Sequence, residues 1–210
     1  MPIDLRTQLP PVRDQGTRPT CVAFAASAFN DHAPGGLHSA EFLAWCAVEA
    51  SGAGDERAGV PLTAAADVMV RFGQPPELVW PYRPVAAGAP PVAVFRIARP
   101  LRRAARISAL GFNPGVALAE LTADRIVVLG LRITSAFYRV TAFRPTVDSD
   151  DLRRPAATFL HAVALVGRLR TAYPWVIRNS WGTGWGDSGH AYASEDFVRE
   201  HVREMLTVEA

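Results

Sequence analysis

Apolar positions recur at helical spacing in the first third of the chain and at strand spacing in the last. From Cys21 onward, Val22, Ala25, Ala26 and Phe29 share one face at the helical period. That helix should stop near His32, because Ala33-Pro34-Gly35-Gly36 cannot continue it, and Thr20 is its expected N-cap. A second helix fits residues 39–50, where Phe42, Leu43, Cys46 and Ala47 are spaced for burial, and a third fits residues 62–72, ended by Gly73. Residues 2–20 carry Pro2, Pro10, Pro11 and Pro19 and read as extended; residues 73–92 are irregular and proline-rich.

Beyond residue 107 the period changes. A short helix over 116–121 precedes RIVVLGLRIT, which is apolar and rich in β-branched residues. FLHAVALVGRLR and YPWVIRN read as further strands, and SWGTGWGDSGHAY as a glycine-rich turn leading into another. Between the two regimes lies VAVFRIARPLRRAARIS, with five arginines from Arg96 to Arg106; Pro100 rules out one continuous helix, so a solvated connector is expected. The acidic stretch Asp148-Ser149-Asp150-Asp151 lacks the glycine and terminal glutamate of a calcium loop and is expected to be a solvated loop. Helices first and strands second give an α+β class, with two halves and a cleft between them.

Composition narrows the function classes. At 210 residues the chain can bury a real core, and 49% apolar with 20% charged residues describes an ordinary globular protein. A formal charge of +2 is too small to favour nucleic acid or a membrane surface, so neither is expected as a partner. There is no lysine; every basic side chain but histidine is arginine, a bias that points to a GC-rich bacterial genome. No apolar run reaches the ~20 residues of a bilayer span, and MPIDLRTQLPP lacks the layout of a secretory signal. Two cysteines make no disulfide framework. A cytoplasmic, reducing setting is therefore the expectation.

Cysteine chemistry needs a thiolate, which a helix N-terminus and a neighbouring cation favour. Cys21 opens its helix, whereas Cys46 lies well inside another and is expected to be a reduced core thiol. A base is also required, normally a histidine oriented by a third group. His32 and His38 flank a turn, His190 follows the glycine turn, and His201 lies in a charged C-terminal stretch. Only His161 starts a strongly apolar strand that would hold an imidazole firmly. The segment from Asn179 to Gly189 combines four glycines with Trp181 and Trp185, more than a simple turn requires.

In these segments the sequence resembles the papain-like cysteine peptidases. Gln15-Gly16 followed by Cys21-Val22-Ala23-Phe24-Ala25 matches the family's nucleophile segment, His161-Ala162-Val163-Ala164-Leu165-Val166-Gly167 its histidine segment, and Asn179-Ser180-Trp181-Gly182 its asparagine segment. Asp4-Leu5-Arg6, Leu9-Pro10-Pro11-Val12-Arg13-Asp14 and Trp80-Pro81-Tyr82 extend the likeness over nearly the whole chain. The resemblance implies a single papain-like domain over 1–210, with a mainly helical half over 15–105. Facing it across a catalytic cleft would stand an antiparallel, β-barrel-like half over 106–210 together with 1–14. It further implies that Cys21 attacks the scissile carbonyl, His161 carries the proton, Asn179 orients the imidazole, and Gln15 with the Cys21 N–H forms the oxyanion hole. Trp181 would shield the Asn–His bond and line the leaving-group side of the substrate cleft. No metal and no cofactor are implied.

The departures are specific. Arg18 stands where secreted members have a cysteine, so their usual disulfide cannot form; Pro19 replaces a glycine, and Val22 replaces an aromatic. Leu160 stands where many members have a polar residue, and the usual Cys-Gly-Gly lining has no clear counterpart between Ser51 and Gly59. The implied activity is that of a cysteine endopeptidase or processing peptidase acting on peptide or protein substrates. The same thioacyl chemistry would serve a transpeptidase or cyclase, and a catalytically retired papain-like binding module is the reading from another class. No segment resembling the family's inhibitory propeptide is recognised, so a regulatory partner would take its place.

Overall fold

The computed structural model describes residues 1–32, 36–98, 105–108, 111–149 and 159–208. Its first half holds β1 (Ile3–Asp4), a 3-10 turn (Arg6–Gln8), α1 (Cys21–Asp31), α2 (Ala40–Ser51), a second 3-10 turn (Glu56–Ala58), α3 (Leu62–Arg71) and α4 (Val92–Ile97). There follow β2 (Ala105–Ser108), α5 (Pro114–Thr122), β3 (Val127–Ile133), α6 (Ser135–Tyr138) and β4 (Thr146–Val147). The chain ends in β5 (Phe159–Arg168), β6 (Trp175–Arg178), β7 (His190–Ala193), α7 (Glu195–His201) and β8 (Val202–Val208). The class is α+β, as the periodicities indicate.

Among the described residues one eight-stranded sheet runs β2-β8-β3-β5-β6-β7-β4, with β1 paired to the end of β5. All pairings are antiparallel except β4 with β7. The register sets Leu131 opposite His161 and Leu129 opposite Val163. Side chains alternate across a strand, so Val127, Leu129, Leu131, Val163 and Leu165 enter one core with Leu121, Phe137 and Phe197 from α5, α6 and α7. Val128, Ala162 and Leu206 enter the second core, against Ala23 and Ala26 of α1 and the apolar faces of α2 and α3. A one-residue slip of β5 would exchange these faces and carry His161 away from its site.

Helix α1 is buried from Val22 to Ala28, as a helix apolar all round must be. Its alanines allow close approach to β5. At α2 Ser39 stands one residue before the helix as its N-cap: its Oγ accepts from the Phe42 N–H at 2.9 Å.

One segment differs from the sequence expectation, and the structure adds detail at two others. The connector forms helix α4, because Phe95 sets its ring edge-on to Phe42 and Phe72 at centroid distances of 5.0 and 5.7 Å, and Val94 is buried. Its continuation β2 pairs with β8; residues 99–104 lie outside the described ones. The charged C-terminal stretch forms α7 and β8, since Phe197, Val198, Val202, Met205 and Leu206 all face the interior. Asp148 ties loops together, accepting from Ser194 Oγ at 2.9 Å and from the Ser149 N–H at 2.7 Å, whereas Asp150 and Asp151 fall outside the described residues. No helix among the described residues is long and apolar enough to cross a membrane.

Candidate active site

Cys21 stands at the first residue of α1, half-buried. Thr20 occupies the N-cap position without capping: its hydroxyl pairs with the Tyr82 hydroxyl at 2.8 Å. The first-turn N–H groups, which have no acceptor within the helix, therefore stay open toward the thiol. The N–H groups of Ala162, next to His161, and of Val22 and Cys21 itself lie near the sulfur and favour its charged form. Burial still dominates and pushes the thiol above its ordinary value, with these three N–H groups opposing it.

His161 is buried on β5, and its Nε2 lies 2.7 Å from Asn179 Oδ1. The same oxygen accepts from the Ser180 N–H at 2.8 Å. A backbone N–H can only donate, so this atom is the amide oxygen and Nε2 carries the proton. In the neutral ring Nδ1 is then the acceptor, free to take a proton from a thiol. Burial pushes the imidazole down to about 4, and the Asn179 bond only partly opposes this.

Gln15 is buried and held at both ends of its amide. Ser180 Oγ donates to Oε1 at 2.6 Å, and Nε2 donates to the Arg18 carbonyl at 2.6 Å. An amide nitrogen carries two hydrogens, so one remains to meet an oxyanion. The Gln15 N–H also donates to the Ser180 carbonyl at 2.8 Å. Gln15 and the Asn179 segment are thus joined.

Trp181 covers His161, ring centroids 4.8 Å apart. Behind it lies an aromatic set that sequence reasoning missed. Phe137 on α6 meets Trp181 edge-on at 5.5 Å and His161 at 5.9 Å, and Tyr138 stacks on Trp181 at 4.9 Å. Trp185 Nε1 donates to the Phe137 carbonyl at 3.1 Å, pinning the short helix. The turn glycines are needed where they stand. A Cβ on Gly186, at φ +57°, would fall 2.1 Å from the His190 carbonyl oxygen, and one on Gly189 2.5 Å from Val12.

Residues 119–206 match the sequence model of the papain family cysteine proteases. Over 49 residues the chain is 56% identical to a cysteine protease of Blomia tropicalis, covering 22% of this chain and 15% of that protein. Over 78 residues it is 33% identical to Peptidase 1 of Dermatophagoides pteronyssinus, covering 36% and 23%. The matched stretches span less than a quarter of the length of these curated relatives. Xylellain, a cysteine protease from Xylella fastidiosa, superposes on 100% of this chain and 85% of its own at TM-score 0.78 and 20% identity. A Carica candamarcensis cysteine protease crystallised with E-64 does so over 99% and 97%, at TM-score 0.69 and 21% identity. The chain has the papain-like fold.

The papain-like cleft beside Cys21 and His161 has a volume of about 560 Å³. Leu62, Leu131 and Ala162 line its depth, with Pro19 and Leu160 at its edges and Glu204 and Arg203 from β8. Leu160 is 77% exposed, an apolar lip on β5. Residues 57–61, where no family motif is legible, supply the wall opposite the sheet. Val22 is buried in the α1–α3 core. Cys46 is buried and free, its thiol pushed up to about 12 by burial and by Glu49. Among the described residues no cluster of His, Cys, Asp or Glu side chains is placed to hold a metal ion. His190 and His201 lie away from this cleft: His190 Nδ1 contacts the Asp187 carbonyl at 3.2 Å, and His201 Nδ1 the Arg132 carbonyl at 2.6 Å.

Proposed function

We propose that this chain is a cysteine peptidase that hydrolyses peptide bonds through a thioacyl intermediate. The observation that carries the reading is one cleft lined both by Cys21, at the N-terminus of α1, and by a histidine whose Nε2–H is spent on Asn179. His161 Nδ1 takes the thiol proton as sulfur bonds to the substrate carbonyl carbon. The oxygen's new charge meets the remaining Gln15 N–H and the Cys21 N–H. Collapse breaks the C–N bond, and the proton on Nδ1 passes to the leaving amine. Water then attacks the thioester, giving its proton to His161; the acid departs and the thiol is restored. Trp181 with its aromatic backing keeps water from the His161–Asn179 bond.

We further read the substrate as a peptide or protein segment laid along the 560 Å³ cleft, its apolar side chains against Leu62, Leu131 and Leu160. Two free thiols and an arginine at position 18 support a reducing, cytoplasmic setting, and the lysine-free composition supports a bacterial source. A separate regulatory partner belongs to the same proposal. The test is a peptide-library digest with products weighed by mass spectrometry. Hydrolysed termini that vanish in Cys21→Ala are expected. Absence of cleavage would overturn the proposal, as would cleavage undiminished in Cys21→Ala. Ligated products would replace hydrolysis with transpeptidation.

A further inference from the structure

We infer that Arg18 is a positioning residue for the oxyanion donor, an inference that rests on the peptidase reading. Arg18 is 6% exposed, and its guanidinium is fully engaged. Nε donates to Glu56 Oε1 at 2.9 Å and Nη2 to Glu56 Oε2 at 2.6 Å. Nη1 donates to Glu41 Oε2 at 2.5 Å and to the Arg83 carbonyl at 2.7 Å, and Nη2 also reaches Glu41 Oε1 at 3.2 Å. These bonds occupy all five N–H groups that a guanidinium offers. Its carbon lies 4.7 Å from the centroid of Tyr82, whose hydroxyl donates to the Gln15 carbonyl at 2.8 Å and pairs with Thr20.

Fixing this side chain fixes its own peptide. The Arg18 carbonyl accepts from Gln15 Nε2 at 2.6 Å and from the Thr20 N–H at 2.9 Å, so both its lone pairs are directed. One neighbour is the oxyanion donor, and the other precedes the nucleophile. Glu56 opens the 3-10 turn whose next residues, Arg57 to Pro61, form the cleft wall. Two carboxylates on different elements thus clamp one cation in the place where secreted relatives carry a cysteine. A Lys, with a single compact ammonium, cannot reproduce the forked contacts.

The experiment is a double-mutant cycle on kcat, counted per active site by titration with an irreversible thiol reagent. Arg18→Met should lower kcat about tenfold or more with KM changed by less than about threefold, because a displaced oxyanion donor weakens only the transition state. Arg18→Lys should recover only part of the loss. In a Gln15→Ala background the Arg18→Met effect should shrink to about twofold, because the donor it positions is gone. If Arg18→Met does not fold, Glu56→Gln enters the same cycle with an expected loss of about threefold. A lower melting temperature with kcat per titrated site unchanged would make Arg18 merely structural and overturn the inference. Equal losses in both backgrounds would also overturn it. If Gln15→Ala itself keeps full kcat, the oxyanion role and the Arg18 inference fall together, while peptide hydrolysis by Cys21 stands.

Discussion

Cys21 and His161 each occupy a place where a lone charge is costly. Burial raises the thiol and lowers the imidazole to about 4, so each taken singly is driven to its neutral form. The helix N-terminus contributes only ~0.3–1 kcal/mol toward a thiolate, too little to hold one alone. The two groups can therefore charge only together, as thiolate beside imidazolium, with the N–H groups of Ala162, Val22 and Cys21 supporting the sulfur. Wild-type Cys21 should accordingly alkylate at pH 6, well below the ~8.5 of a free thiol. In His161→Ala the onset should move above that ordinary value, and the pH 6 rate should fall about 100-fold or more. Asn179→Ala should cost less, since orientation suffers but the charge persists. Cys46, buried with its thiol pushed up to about 12, should stay unmodified. Alkylation rates against pH, with peptide mapping, measure all three. Equal pH 6 rates in wild type and His161→Ala would exclude a charged pair.

Elements were legible where a long period met clear breakers. The α1 pattern runs to His32 and ends at a Pro-Gly-Gly stretch, and the helix closes at Asp31. The strands β3, β5 and β6 carry continuous apolar runs that mark strands buried on both faces. The segments holding Cys21, Gln15, His161 and Asn179 are local in sequence, which is why the candidate site could be read before the fold. Helix α6 could not: four residues hold no period, and Phe137 gains meaning only when the fold sets it against His161 and Trp181. Helix α4 was hidden by Pro100 and the run of arginines that follows it in sequence, although Phe95 binds it to Phe42 and Phe72. Replacing Phe95 with Ala tests that docking. Full core Phe→Ala changes cost ~3–5 kcal/mol, and this ring is only half-buried. A loss of about 2 kcal/mol by denaturant titration is expected, with kcat unaltered because α4 contributes nothing to the cleft. A loss under ~0.5 kcal/mol would restore the solvated connector.

At the scale of the whole molecule, one sheet separates two cores and holds His161 and His190 where burial disfavours a charged ring. His161 lies at the cleft, and His190 at the start of β7 is lowered to about 4, first by burial and then by Arg178 and Arg6. Both folded values lie below the ordinary 6.5. The unfolded chain thus binds protons that the folded chain refuses once pH falls below about 6.5. Their contribution to stability is complete above that point and is lost progressively as pH drops toward 4. At the lower end each histidine accounts for on the order of 3 kcal/mol. Asp4, lowered by its Arg6 hydrogen bond, acts in the same direction but only below its ordinary 3.8, outside this window. Denaturant titrations between pH 7.5 and 4.5 are best run in Cys21→Ala, where His161 has no thiol to pair with and self-digestion is excluded. Stability should fall steadily across that range. His190→Asn removes one titrating ring, so it should make the slope shallower whatever it does to the absolute stability. A slope unchanged by His190→Asn would mean that His190 accepts its proton as readily in the folded chain as in the unfolded one.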